Sequence, residues 1–369
     1  MKNHKLISVT ALLVASLTSV HAQFTAGNLA VLRDGTGSAA LTSAGTAIFL
    51  DQYTTSGTFV NSLGIPTAGA TALVNSGSAG SEGALNLSAN GQYLVFAGYN
   101  AAAGTASIAS STAAAAPRGV ATVDAGGNYT LAATTSTAFS ANNIRSGTTD
   151  GSGNFWAAGA NGGTIYYDTA TTAITNSTTS ANNRVIQDIG GNLYFSTGSG
   201  SSRGIYQISG TPTTTGNTAV SLINNGGSAS PYDFAFNSGM TIAYVADSST
   251  YSTSSGIGGI EKWALVGGVW TFQYSLSDAL KDGAVGLAVD FSGSNPIIYA
   301  TSSSATNLFA VVDTGSTANG TVLATAGVNE AFRGLDFAPQ TVPEPSTIAL
   351  AGLGLAGLLS LRRKQNPKG

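Results

Sequence analysis

The chain has 369 residues, of which only 8% are charged and 43% apolar, a balance that excludes an intrinsically disordered polymer. It has no cysteine, which excludes disulfide bridges. Between Gln23 and Val342 eight basic residues face sixteen acidic ones, a net of −8 with no Lys/Arg cluster, which speaks against a nucleic-acid partner.

Met1–Lys5 carries two lysines, Leu6–Val20 is apolar and uncharged, and Val20-His21-Ala22 ends on a small residue. That order is a secretory leader over residues 1–22, with cleavage before Gln23. Both histidines of the chain, His4 and His21, fall inside it. The exported body at 23–340 then has neither His nor Cys. A Ser-His-Asp triad, a Cys nucleophile and a His/Cys zinc site are all unavailable to it. Carboxylate chemistry and oxygen-only calcium sites remain open.

Along the body a pattern recurs: a short apolar run, a Gly/Asn/Ser turn, then an aromatic-rich strand. It runs through 82–99, 143–160, 184–199, 231–249 and 284–303, with SANGQ, DGSGN, IGGN, NSGM and SGSN as the turns. Such turns supply the positive φ that tight hairpins need. A second strand pair follows each, at 117–134, 163–177, 203–223, 258–276 and 307–325. Four antiparallel strands in about 40 to 60 residues is the size of one β-propeller blade. Phe332–Pro339 reads as an innermost strand with no partners after it. Asn28–Arg33 and 47–63 read as three outer strands with no innermost strand before them. Together they make a sixth blade from both ends, a closure that removes free sheet edges. The expected fold is all-β: a six-bladed propeller plus a C-terminal transmembrane helix. A pair of packed β-sandwiches is the alternative.

Asp150-Gly-Ser-Gly-Asn154 opens like a calcium loop but lacks the later acidic ligand, and a hairpin turn is the better reading. No cofactor or metal ligand set is read. Trp156, Trp263 and Trp270 fall in strands and are expected to pack in the core or between blades. Polar residues recur where innermost strands begin: Glu82, Arg145, Arg184, Asp233 and Arg333. In a propeller these positions ring one mouth of the channel. A shallow binding site there would use the arginines as donors to sugar hydroxyls or carboxylates, with Tyr232 as a stacking face. The plainer reading is that these charges solvate the mouth and pair with one another. Asp34, Asp51, Asp188, Asp290 and Asp336 are carboxylates placed by position alone.

The tail at 341–369 is unlike the body. Pro343-Glu344-Pro345 precedes an apolar span, Thr347–Leu361, and then Arg362, Arg363 and Lys364. Fifteen residues make about 22 Å of helix, short of the ~20 residues a bilayer core takes. The basic end should stay cytoplasmic, leaving the body outside, and the prolines keep the stretch before the span extended.

This tail resembles the PEP-CTERM sorting signal in motif, span and basic end. The body resembles secreted, propeller-type repeat proteins of bacteria. The tail resemblance implies an exosortase-type processing enzyme that recognises Pro343-Glu344-Pro345 and releases or transfers the body. It also associates such sorting with bacteria that make extracellular polysaccharide. The leading expectation is therefore an exported, non-enzymatic propeller, transiently held in the membrane by its C-terminal helix. It would then be displayed at the cell surface or in the extracellular matrix and bind glycans. The alternative is a secreted propeller hydrolase or lyase using carboxylates, with or without calcium.

Overall fold

The computed structural model describes residues 24–252, 257–278 and 281–341. The leader, Pro343–Pro345, the span at 347–361 and Arg362–Lys364 lie outside the described residues.

Strands account for nearly all the regular structure, with one short 3₁₀ turn at Ile108–Ser110. They form six four-stranded antiparallel blades, each in chain order from the innermost strand outward except the last, with blades 4 and 5 joined into one eight-stranded sheet. Blade 1 is Leu85–Leu87, Tyr93–Tyr99, Arg118–Asp124 and Tyr129–Thr135. Blade 2 is Ile144–Thr149, Phe155–Gly159, Thr164–Tyr166 and Ile174–Ser177. Blade 3 is Asn183–Ile189, Asn192–Thr197, Gly204–Ile208 and Ala219–Asn224. Blade 4 is Pro231–Phe236, Ile242–Ser252, Ile257–Val266 and Val269–Asp278. Blade 5 is Ala284–Asp290, Ile297–Ser302, Asn307–Val312 and Asn319–Thr325.

Blade 6 is the composite. Ala331–Phe337 is its innermost strand, followed by Leu29–Asp34, Ile48–Tyr53 and Phe59–Gly64. Leu29 faces Phe337 and Asp34 faces Ala331. The innermost strands touch in cyclic order, and Ala331–Phe337 packs on Leu85–Leu87 of blade 1, so the ring is closed and propeller-like. Two features had no sequence signal. The outer strands of blades 4 and 5 join in a short parallel ladder, Ser277 facing Asn319. Gly45–Thr46 also pairs with Asn75–Ser76.

An innermost strand has an open edge toward the channel, and its backbone groups need partners. Side chains of the neighbouring blade supply many of them. Asp233 Oδ2 accepts from Leu287 N at 3.0 Å, and Asp336 Oδ2 from Leu87 N at 2.5 Å. Ser146 Oγ and Thr148 Oγ1 each accept, at 3.1 Å, from Ile186 N and Asp188 N. Asn86 Nδ2 donates to Gly147 O and Ile186 O. These polar residues fasten blade to blade around the axis.

Between the blades lie apolar layers. Trp156 is fully buried and its Nε1 donates to Pro212 O at 3.0 Å. Trp263 is buried against Phe272, and Trp270 packs edge-on to Phe236, as the strand pattern predicts. Asp150 closes its hairpin as expected: Oδ1 accepts from Ser152 N and Asn154 N.

Because the strands alternate, one end of the ring gathers the starts of all innermost strands and the other gathers their first hairpins. We call these the mouth end and the hairpin end. Both termini of the described body leave at the hairpin end. Phe24 N donates to Ala125 O, Ala338 N to Asn28 O, and Gln340 N to Gly91 O.

Candidate functional site

At the mouth, each expected residue reaches toward the next blade. Glu82 lies three residues before the strand Leu85–Leu87 and is buried. Its carboxylate accepts from Tyr99 Oη at 2.6 Å, Ser76 N at 2.7 Å and Asn143 Nδ2 of blade 2. No cation pairs with it among the described residues, and burial pushes its pKa up to about 7. Arg145 Nη1 crosses to Asn182 Oδ1 at 2.6 Å and Asn183 O at 3.2 Å. Arg184 Nη1 crosses to Ser230 Oγ at 2.8 Å and Pro231 O at 3.3 Å. Arg333 bridges the closing seam, with Nε on Asp34 Oδ2 at 2.8 Å and Nη2 on Gly77 O at 3.0 Å.

Glu82, Arg184, Tyr232 and Arg333 line one crevice at the channel mouth. Its free volume is about 10 Å³, the room of roughly one water molecule. Arg145 and Asp233 are not in its wall. Asp233 points along the channel, where it accepts from Leu287 N, Phe234 N and Gln187 Nε2, so its work is to hold two blades. Tyr232 does not offer the open stacking face expected of it on one side: the Arg184 guanidinium covers that ring face at 3.9 Å. Gly198 backs the same guanidinium, and a Cβ there would meet Arg184 Nη2 at 2.7 Å.

None of the five mouth charges pairs with another among the described residues; Arg333 instead pairs with Asp34. Asp34 is fully buried, and burial raises its pKa against the opposing pull of Arg333. Breaking a buried pair from one side leaves a bare charge. Replacing Arg333 with Met should lower stability by about 3–5 kcal/mol, read from the urea midpoint. The Arg333→Met/Asp34→Leu chain should lose less than the two single losses together. Arg145 and Arg184 have no carboxylate within ion-pair distance among the described residues. Burial is the main reason their proton affinities fall.

Sequence reasoning missed Arg118 and the Glu261–Asp247 pair. Arg118 is fully buried between blades 1 and 2, its guanidinium 4.9 Å from the Tyr99 ring and bonded to Ala116 O, Ser111 O and Asn142 O. Glu261 and Asp247 sit on paired strands and are both buried. Burial, then the nearby Asp247 carboxylate, pushes Glu261 up to about 8. Of the position-only carboxylates, Asp51 pairs with Arg33 at 2.6 Å, Asp188 accepts from Gly191 N, and Asp290 sits in a surface turn with Ser292. Among the described residues no three acidic groups converge as a metal site.

Residues 341–364 match the PEP-CTERM protein-sorting motif. The chain carries a PEP-CTERM tail. That tail begins directly after the hairpin-end residues Ala338–Gln340 of the ring. No curated protein matches the chain. Among solved structures, a chain of a nidogen/laminin complex is 13% identical, with a TM-score of 0.52 over 85% of this chain and 99% of that one. A putative 6-phosphogluconolactonase from Bacteroides fragilis is 16% identical, with a TM-score of 0.47 over 82% and 83%. One from Bacteroides uniformis is 14% identical, with a TM-score of 0.45 over 81% and 82%. Identities this low speak to fold alone.

Proposed function

We propose that this chain is an exported protein whose propeller body is delivered to the cell envelope or beyond it by the PEP-CTERM tail, and that the body works there as a non-enzymatic binding module for glycans. The observation that carries the reading is the motif match over 341–364. In it, the leader at 1–22 directs export, the span at 347–361 holds the body transiently in the membrane, and Arg362–Lys364 stays on the cytoplasmic side. An exosortase-type enzyme acts at Pro343–Pro345. The non-enzymatic part rests on the polar residues themselves. Asp233 and Asp336 are committed to backbone amides, and Glu261 with Asp247 is sealed from solvent.

Intact mass and location of the mature protein in its host test this directly. The expected mass lacks the residues before Gln23 and those beyond about Pro345, from protein in the medium or on the outer surface. A membrane-fraction protein that retains its tail would make the span a permanent anchor and overturn the sorting step.

A further inference from the structure

The mouth arginines are built in an unusual way. Arg145 is 8% exposed, and its Nη1 alone makes the two bonds to blade 3. Its Nε is buried without a partner. Arg184 repeats this: Nη1 bonds blade 4, Nε is buried and unpartnered, and the guanidinium is clamped between Gly198 and the Tyr232 ring. In both, Nη2 makes no hydrogen bond among the described residues. Two largely buried cations without an ion-pair partner are costly; Glu82 and Asp247 act on Arg145 and Arg184 only from beyond ion-pair distance, and the two arginines repel each other. An anion supplied from outside would offset that cost.

The cations gather at this end. Seven of the eight between residues 24 and 341 belong to the mouth end, Arg33, Arg118, Arg145, Arg184, Arg203, Lys281 and Arg333, beside the acids Asp34, Glu82, Asp247, Asp278, Asp282 and Glu330. The eighth, Lys262, is spent on Asp313 at 2.7 Å. The tail leaves from the opposite end, so a body held by its tail turns this mouth away from the bilayer and from lipid headgroups. The crevice beside Arg184 admits an oxygen atom and not a sugar ring. The side chains bonded to the two arginines are an amide, Asn182, and a hydroxyl, Ser230, neighbours that suit a hydroxyl-bearing ligand.

We propose that Arg145 and Arg184 form a receptor site for one carboxylate of a carboxylated sugar, held by their free Nη groups and presented away from the tail. Guanidinium forks match a planar carboxylate, and such charge-assisted bonds are the strong ones. The proposal rests on the reading of the body as a displayed glycan-binding module. Its test does not depend on where the host places the protein.

Calorimetry on the purified full chain, with a galacturonic-acid hexamer as the probe, reads it. Binding should appear, weaken as salt is raised, and vanish for the methyl-esterified hexamer. Arg145→Gln and Arg184→Gln should each weaken it at least about tenfold. Gly198→Ala keeps both charges and pushes the Arg184 guanidinium aside, so it should weaken binding too while the melting curve stays cooperative. No binding of the carboxylated hexamer, equal binding of its ester, equal binding of a peptide carboxy terminus, or unchanged affinity in both glutamine variants would each overturn the proposal.

Discussion

Replacing Gly334 with Val should open the ring. Gly334 lies in the closing strand Ala331–Phe337, where its N donates to Gly83 O at 2.9 Å. A Cβ at this position would stand 2.2 Å from Leu85 N and 2.7 Å from Gly83 O. Both obstacles are backbone of the first blade, so no rotamer change relieves the clash. The cost should be about 3 kcal/mol or more, at the upper end for an overpacked site. An opened seam would also expose the edges of Ala331–Phe337 and Leu85–Leu87, and exposed edges promote association. The urea midpoint should fall, and size-exclusion should show oligomers. Gly227→Ala is the control: nothing lies within 4 Å of its added Cβ, and its midpoint should stay in place. A Gly334→Val chain that unfolds like the parent would show that the seam does not limit stability.

Stability should also rise as pH falls from about 8 to about 5. Glu82 and Asp336 are each pushed up to about 7, and Glu261 up to about 8, by burial first of all. In the unfolded chain these groups titrate near 4. Over that window the folded state therefore holds protons that the unfolded state has given up. Their contribution is complete below the unfolded values and is lost as pH climbs through the folded ones. A tenfold difference in proton affinity is about 1.4 kcal/mol, so Glu82 alone accounts for on the order of 3 kcal/mol. Asp313, lowered by its bonds to Lys262, Tyr244 and Tyr274 against the pull of burial, acts in the opposite sense only at more acidic pH. The melting temperature should be higher at pH 5 than at pH 8, and Glu82→Gln should flatten that slope. A melting temperature higher at pH 8 than at pH 5 would contradict the assignment of these acids as protonated in the fold.

The blades were readable because each turn announces itself. SANGQ, DGSGN and IGGN sit where hairpins need Gly or Asn, and apolar alternation on either side marks the strands. The composite blade was readable from its mismatch, an innermost strand without followers and three outer strands without a leader. The partners of the mouth residues were not. Arg145 and Arg333 both stand near the start of an innermost strand. Yet Arg333 meets Asp34 while Arg145 meets only amide and carbonyl oxygens. That difference comes from residues distant in sequence, Asp34 from the N-terminal strand of the composite blade and Asn182–Asn183 from blade 3. Asp233 misled by position: two residues into its strand, it already faces the channel, where the open strand edge claims it. Glu261 and Asp247 meet across a ladder whose register no local pattern fixes.

The placement of the closing strand also sets a timetable. Leu29 must wait for Phe337 before blade 6 exists, so the contact that completes the ring spans nearly the whole body. Such distant pairing is slow to form, because the loop it closes is long. A chain crossing a membrane from its N-terminus brings out five blades while the place for the last strand stands empty. The edge beside Leu29–Asp34 then remains open until Ala331–Phe337 arrives. The PEP-CTERM motif follows that strand almost at once, so completion of the fold and arrival of the sorting signal are nearly one event in time.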